Sequence, residues 1–112
     1  MNGRVSQRYD AELLLEDLTE VVLIFPDRQE IEASVVDISS QGIRVAIPSS
    51  RTSASIPHKI DIVEIVFVTI QLRLSCRFIF SMNDQNDNIL IGFYVFDPMD
   101  QNKLRNVMDR IC

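Results

Sequence analysis

Glycine and histidine are scarce in this chain of 112 residues, which contains three glycines and one histidine. A phosphate-binding loop or a dinucleotide fingerprint needs several glycines close together, because the backbone must approach phosphate. Gly3, Gly42 and Gly92 are too widely separated to build either motif. Nucleophilic catalysis needs a positioned base, and zinc needs clustered cysteine and histidine ligands. We expect His58 to be a surface residue at the start of a strand, so the sequence predicts neither an enzyme nor a metal site.

Positive charge is also sparse, since 11 lysines and arginines oppose 16 acids and give a net charge of −5. Binding to DNA or RNA depends on a basic face that neutralises phosphates, so we do not expect it here. A few well-placed arginines can still hold a small anion. The two cysteines, Cys76 and Cys112, do not indicate a secreted disulfide framework.

Long apolar runs are absent as well. No stretch approaches the roughly 20 residues that a membrane-spanning helix needs, and the first residues lack the apolar centre of a signal peptide. We therefore expect a cytoplasmic protein without membrane insertion.

Apolar and polar residues alternate along several short segments, which are separated by turn-forming residues such as Pro26–Asp27. This pattern predicts an antiparallel barrel or sandwich. The predicted strands cover residues 21–25, 30–35, 43–47, 60–70, 72–80 and 89–96.

The clearest alternation places Leu72, Leu74, Cys76, Phe78 and Phe80 on one face of a strand. Cys76 is therefore expected to be a small core residue.

The last strand is apolar on both faces, so a second element must cover it. A C-terminal helix over 97–112 is predicted to do so, with Asp97 as its N-cap and Pro98 at its first position. Its apolar stripe consists of Leu104, Val107, Met108 and Ile111.

Two short motifs occur together with this strand pattern. Arg4 and Arg8 form R-x-x-x-R, and Asp37, Ser39 and Gly42 form D-x-S-x-x-G between two alternating strands. In their order along the chain, and with the final strand and helix, they resemble the PilZ domain family. Its members are bacterial receptors for the second messenger cyclic di-GMP.

The resemblance covers nearly the whole chain and carries an implied fold. That fold is a mostly β protein, a six-stranded antiparallel split β-barrel with a C-terminal α-helix. It implies a flexible segment over 1–18 that carries the arginines, and a barrel with its helix over 19–112.

The resemblance also implies how arginines hold the ligand. Cyclic di-GMP has two phosphates and two guanines, and a guanidinium group can grip phosphate bidentately or stack on a purine. Arg4 and Arg8 are expected to fold over the ligand on their N-terminal segment. Arg44 faces away from its apolar neighbours and is expected to add charge near the same site.

The second motif is expected to supply the rest of the site. Asp37 would accept hydrogen bonds from a guanine edge. Ser39 would offer its hydroxyl to ligand phosphate or order the turn. Gly42 would permit positive φ and a close approach of the ligand to the backbone.

The leading hypothesis is a non-enzymatic cyclic di-GMP receptor, monomeric or homodimeric, that changes conformation on binding and signals to an unidentified effector protein. The alternative is a PilZ-like interaction adaptor that no longer binds nucleotide, which the extra segment between Arg8 and Thr19 and the acidic balance favour. A third hypothesis, a small hydrolase or transferase, lacks a nucleophile–base pair.

Overall fold

The computed structural model describes residues 9–10, 18–39, 41–48, 61–83 and 87–111. Within these ranges the chain forms seven strands and one helix. Their bounds are β1 Tyr9–Asp10, β2 Glu20–Ile24, β3 Glu30–Ile38, β4 Gly42–Pro48, β5 Ile62–Phe67, β6 Arg73–Asn83, β7 Asn88–Val95 and α1 Pro98–Ile111.

Six of these strands close into an antiparallel barrel. The strands are ordered β3-β2-β5-β6-β7-β4, and pairing between β3 and β4 joins the two ends. The remaining strand, β1, pairs antiparallel with the end of β3, beyond the stretch of β3 that pairs with β2. The predicted six-stranded barrel with a C-terminal helix is confirmed.

The core lies inside the barrel and follows the predicted alternation. Along β3, Ile31, Ala33 and Val35 are buried while the residues between them are exposed. Phe78 of β6 and Phe93 of β7 meet edge to face inside the barrel, with ring centroids 6.3 Å apart. Cys76 is fully buried, as predicted. Burial, and secondarily the charge of Asp100, raise the pKa of its thiol above the ordinary value of 9.0.

The helix α1 begins as the sequence predicts. The Asp97 carboxylate accepts a hydrogen bond from the backbone N–H of Met99 at 2.9 Å, and Pro98 is the first helical residue. The buried Asp100 carboxylate accepts another from the N–H of Ser75 at 3.0 Å, which fastens the helix to β6. Among the described residues there is no helix with the length and apolar character needed to cross a bilayer.

The helix packs differently from the expectation. Leu104 and Met108 join the core cluster formed by the inward-facing strand residues. Tyr94, on the outer face of β7, is 40% exposed. The prediction that α1 covers the second face of the last strand is therefore wrong at Tyr94, because the helix adds to the inner core.

One face assignment in β6 is also wrong. The register shifts between Phe78 and Phe80, so that Phe78 lies opposite Phe93 and Phe80 lies opposite Gly92. Gly92 and Phe93 are neighbours in β7 and face opposite sides of the sheet. Phe80 therefore lies on the outer face, because a β-bulge at Ile79 reverses the alternation.

Candidate functional site

Asp37, which the sequence places in a turn, lies near the end of the strand β3. Val35 and Val45 are opposite each other in the core, and the next pair in register is Asp37 with Arg44. Val36 is the extra residue of a β-bulge between them. Strict alternation would give Asp37 the inward orientation of Val35, so the bulge is what directs its carboxylate to the outer face.

Asp37 and Arg44 form a forked ion pair. Arg44 Nε donates a hydrogen bond to Asp37 Oδ1 at 3.0 Å, and Arg44 Nη2 donates to Oδ2. The Asp37 residue is only 1% exposed, whereas the side chain of Arg44 is 40% exposed. A buried carboxylate requires a cation or several donors, and Arg44 meets this need from a side chain that is partly exposed.

Ser39 organises the turn between β3 and β4. Its Oγ accepts hydrogen bonds from the backbone N–H groups of Gln41, at 3.3 Å, and Gly42, at 3.1 Å. Its own N–H donates to the carbonyl of Gly42 at 2.8 Å. Of the two roles expected for this hydroxyl, ordering the turn is the one its contacts perform, and Ser39 is buried.

The positive φ predicted for Gly42 is wrong, whereas the close approach of a ligand to its backbone stays a prediction. None of the described glycines has positive φ. Gly42 is instead the first residue of β4, where it is buried and lies opposite Tyr94 of β7. Extended backbone suits this position because the turn already ends at Gln41.

The strand β1 lies beside the acid. Tyr9 is opposite Ile38 and Asp10 is opposite Asp37. Arg4 and Arg8 lie outside the described residues, so their roles stay predictions. The sequence analysis missed β1, because a strand of two residues is too short to show a period.

A groove with a volume of about 260 Å³ lies beside the ion pair, on the outer face of the barrel. It is bordered by Gln41 and Arg44 on one side and by Phe80 and Tyr94 on the other. The ring of Phe80 lies over Gly92, where an added Cβ would come within 2.1 Å of its Cε1 atom. The sequence analysis predicted Arg44 but missed Phe80, Gly92 and Tyr94, although a glycine inside an apolar strand signals close approach of another group.

The described ranges contain no group of three or more His, Cys, Asp or Glu side chains that could hold a metal ion. His58 lies outside them.

Comparison with known proteins gives a structural likeness without a sequence match. No family model and no curated protein matches the chain. The solved structure of the Bacillus subtilis inhibitor of motility MotI/DgrA is similar, with 17% identity and a TM-score of 0.69 over 98% of this chain. The chain spans about half of that protein, 51% of its length. This likeness shows that the two proteins share a fold.

Proposed function

We propose that this protein is a receptor for cyclic di-GMP, which binds at the Asp37–Arg44 edge of the barrel and changes the surface presented to a partner protein. The observation that carries the proposal is the pairing of β1 with β3. The Arg4 and Arg8 motif ends at the residue before β1 in the sequence, and β1 is hydrogen-bonded to β3 at Asp37. The arginine motif and the D-x-S-x-x-G motif are far apart in the sequence, but both are thus connected to the same end of β3.

The chemistry at this edge suits a guanine nucleotide. The Asp37 carboxylate accepts hydrogen bonds from Arg44, and a carboxylate is also a suitable acceptor for the N–H groups of a guanine edge. The Arg44 side chain is 40% exposed, and a guanidinium is a group that can hold phosphate. Arg4 and Arg8 would add two further cations from the segment that precedes β1, which offsets the charge of the two ligand phosphates.

The proposed position of the ligand suggests how the protein would signal to a partner. A nucleotide between the arginine segment and the outer face of β3 and β4 would hold the two together, and a partner would recognise the combined surface. This is an ordering switch, in which the ligand stabilises one arrangement of the segment. A cytoplasmic location and a monomeric or homodimeric state belong to the same proposal.

The test is calorimetric titration of the full chain with cyclic di-GMP. We expect the wild type to bind with micromolar or tighter affinity, and both Arg8→Ala and Asp37→Asn to lose measurable heat. Arg73→Ala is the matched control, because Arg73 is 64% exposed and pairs with Glu64 away from the site. Circular dichroism checks that each variant is folded. Absence of binding by the folded wild type contradicts the proposal.

The proposal assigns the protein no catalytic activity. Chromatography of cyclic di-GMP after prolonged incubation with the protein is expected to recover the ligand unchanged. Conversion to linear dinucleotide or to mononucleotides would contradict this part.

A nucleotide-independent adaptor is the second candidate, and the exposed apolar side chains of β6 favour it. Ile79 and Met82 are about half exposed on the barrel surface. This function predicts that the folded wild type gives no heat with cyclic di-GMP, and that a purified partner binds equally to wild type and Asp37→Asn. Partner binding that requires the nucleotide would exclude it.

A further inference from the structure

The outer face of β2 and β5 carries aliphatic side chains where a solvated sheet face would carry polar ones. Val22 and Ile24 alternate with the buried residues of β2, and Val66 does the same in β5. Val22 lies directly opposite Val66, so the aliphatic groups adjoin across the two strands. These three half-buried residues form an outer apolar patch.

Acidic residues border this patch on the β3 side. Glu30 is opposite Ile24, Glu32 is opposite Val22, and Glu20 is the first residue of β2. All three glutamates are exposed, so no described element covers this part of the sheet. These glutamates form an acidic rim along one flank and one end of the apolar patch.

A recess with a volume of about 550 Å³ opens beside Val66, at the loop between β5 and β6. Val68 and Ile70 line it with apolar surface, and Val68 is 58% exposed. The N–H of Val68 donates a hydrogen bond to the carbonyl of Glu20 at 3.1 Å, which fastens the loop beside the acidic rim. The volume lies within the range of roughly 300–1,000 Å³ found for ligand pockets, so a large apolar side chain fits.

The dimensions of this face match those of one α-helix. Two neighbouring strands lie about 4.8 Å apart, so a patch on two strands with its flanks is about as wide as a helix, which measures about 10–12 Å across. Glu30 and Glu32 are separated by about 6.8 Å along β3. Basic residues at positions i and i+4 of a helix are separated by about 6 Å along its axis, which places one against each glutamate.

From these features we infer that the outer face of β2 and β5 is the docking surface for a basic amphipathic helix of another protein. The apolar stripe of that helix packs on the patch, its lysines or arginines follow the acidic rim, and one large side chain enters the recess. Charge complementarity favours such a partner over a second copy, because the net charge of −5 attracts a basic helix and repels another acidic chain.

This surface is separate from the proposed nucleotide edge. Glu30 is the first residue of β3, whereas Asp37 lies near its other end. The inference therefore goes beyond the receptor function and does not depend on cyclic di-GMP. Asp37→Asn should bind the helix as the wild type does, so failure of one proposal leaves the other standing.

The first test is an NMR titration of the ¹⁵N-labelled full chain with a synthetic amphipathic peptide. The peptide carries a leucine stripe with one phenylalanine and has lysines on both flanks of the stripe. We expect amide shifts in β2, in β5, at Glu30 and Glu32, and in the loop at Val68. A scrambled peptide of the same composition should bind at least about tenfold more weakly, since it has no continuous apolar face. Equal binding of the scrambled peptide, or shifts confined to other strands, would overturn the inference.

Variants of the rim and of the recess test each contact. The double variant of Glu30→Gln with Glu32→Gln should weaken binding by about 2- to 30-fold, the range for two partly exposed ion pairs. Val68→Ser should weaken it by about 4- to 15-fold, which corresponds to one or two buried methyl groups.

Two matched controls change the same kinds of side chain elsewhere. Asp109→Asn neutralises an exposed acid on α1, and Ile79→Ser removes an exposed aliphatic side chain from β6. Both should bind within about twofold of the wild type, and circular dichroism checks that each variant is folded. The inference is refuted if neither the double variant nor Val68→Ser binds more weakly than these controls.

Sedimentation equilibrium of the protein without peptide tests whether a second copy occupies this face instead. A dimer that Val68→Ser dissociates would assign the face to self-association and would overturn the assignment to another protein.

Discussion

Replacing Arg44 with alanine removes the cation that neutralises a buried carboxylate. Asp37 is 1% exposed, and two hydrogen bonds from Arg44 satisfy both of its oxygens. Breaking a fully buried pair on one side costs about 3–5 kcal/mol. Because the Arg44 side chain is 40% exposed, water can enter the space it leaves and solvate Asp37 in part. We therefore expect the free energy of unfolding to fall by about 2–3 kcal/mol.

Urea unfolding measures this loss. With a slope of about 1.5 kcal/mol per molar urea for a domain of this size, the midpoint should decrease by about 1.3–2 M. Arg73→Ala is again the control, because the Arg73–Glu64 pair, 3.3 Å apart, is largely exposed. An exposed pair contributes about 0–1 kcal/mol, so that midpoint should move by less than about 0.7 M.

A double variant separates the buried charge from lost packing. In the Arg44→Ala background, Asp37→Asn removes the buried charge that Arg44 no longer balances and should raise the midpoint again, since a neutral amide costs less to bury than a carboxylate. The reasoning is refuted if Arg44→Ala is no less stable than Arg73→Ala. It is also refuted if the double variant is less stable than Arg44→Ala alone.

Three further outcomes follow from other contacts. Ser39→Ala leaves the Gly42 N–H without its acceptor and should lower the free energy of unfolding in urea by about 1–3 kcal/mol; an unchanged midpoint would show that water replaces the hydroxyl. Asp100→Ala removes the acceptor for Ser75 that holds the helix on β6, and calorimetry should find a melting temperature lower by about 4–8 °C for each kcal/mol lost. The raised pKa of Cys76 means that the unfolded chain releases the thiol proton first, so the contribution of this thiol to stability is constant at lower pH and falls above pH 9.0. Relative to Cys76→Ala, the fall should approach about 1.4 kcal/mol per pH unit, and parallel stability curves for the two proteins would contradict it.

The parts of the fold that depend on local pattern could be predicted from the sequence. Burial of Ile31, Ala33 and Val35 follows directly from their period of two, because alternate residues of a strand face the same side. The start of the helix at Asp97 and Pro98 follows from capping chemistry within one turn. Each of these inferences uses residues that are neighbours in the sequence.

The parts of the site that depend on pairing between distant segments could not be predicted from the sequence. The position of β1 beside Asp37 is set by hydrogen bonds between residues far apart in the chain. The face occupied by Phe80 depends on a bulge, which the hydrophobic pattern does not mark because Phe78 and Phe80 are both apolar. The partnership of Asp37 with Arg44 needs the same kind of information, since it is fixed by the register of β3 and β4.

The candidate site thus depends on two extra residues as much as on its motifs. Val36 directs Asp37 to the outer face of β3, and Ile79 does the same for Phe80 in β6. Arg44 lies between Asp37 and Phe80 in the same row of residues across the strands. A chain with the D-x-S-x-x-G motif but without the extra residue before the acid would direct its carboxylate inward with Val35, where burial without a cation is costly. The motif therefore specifies the turn through the Ser39 hydroxyl, whereas the bulges decide whether the acid and the aromatic ring lie on the outer face of the barrel.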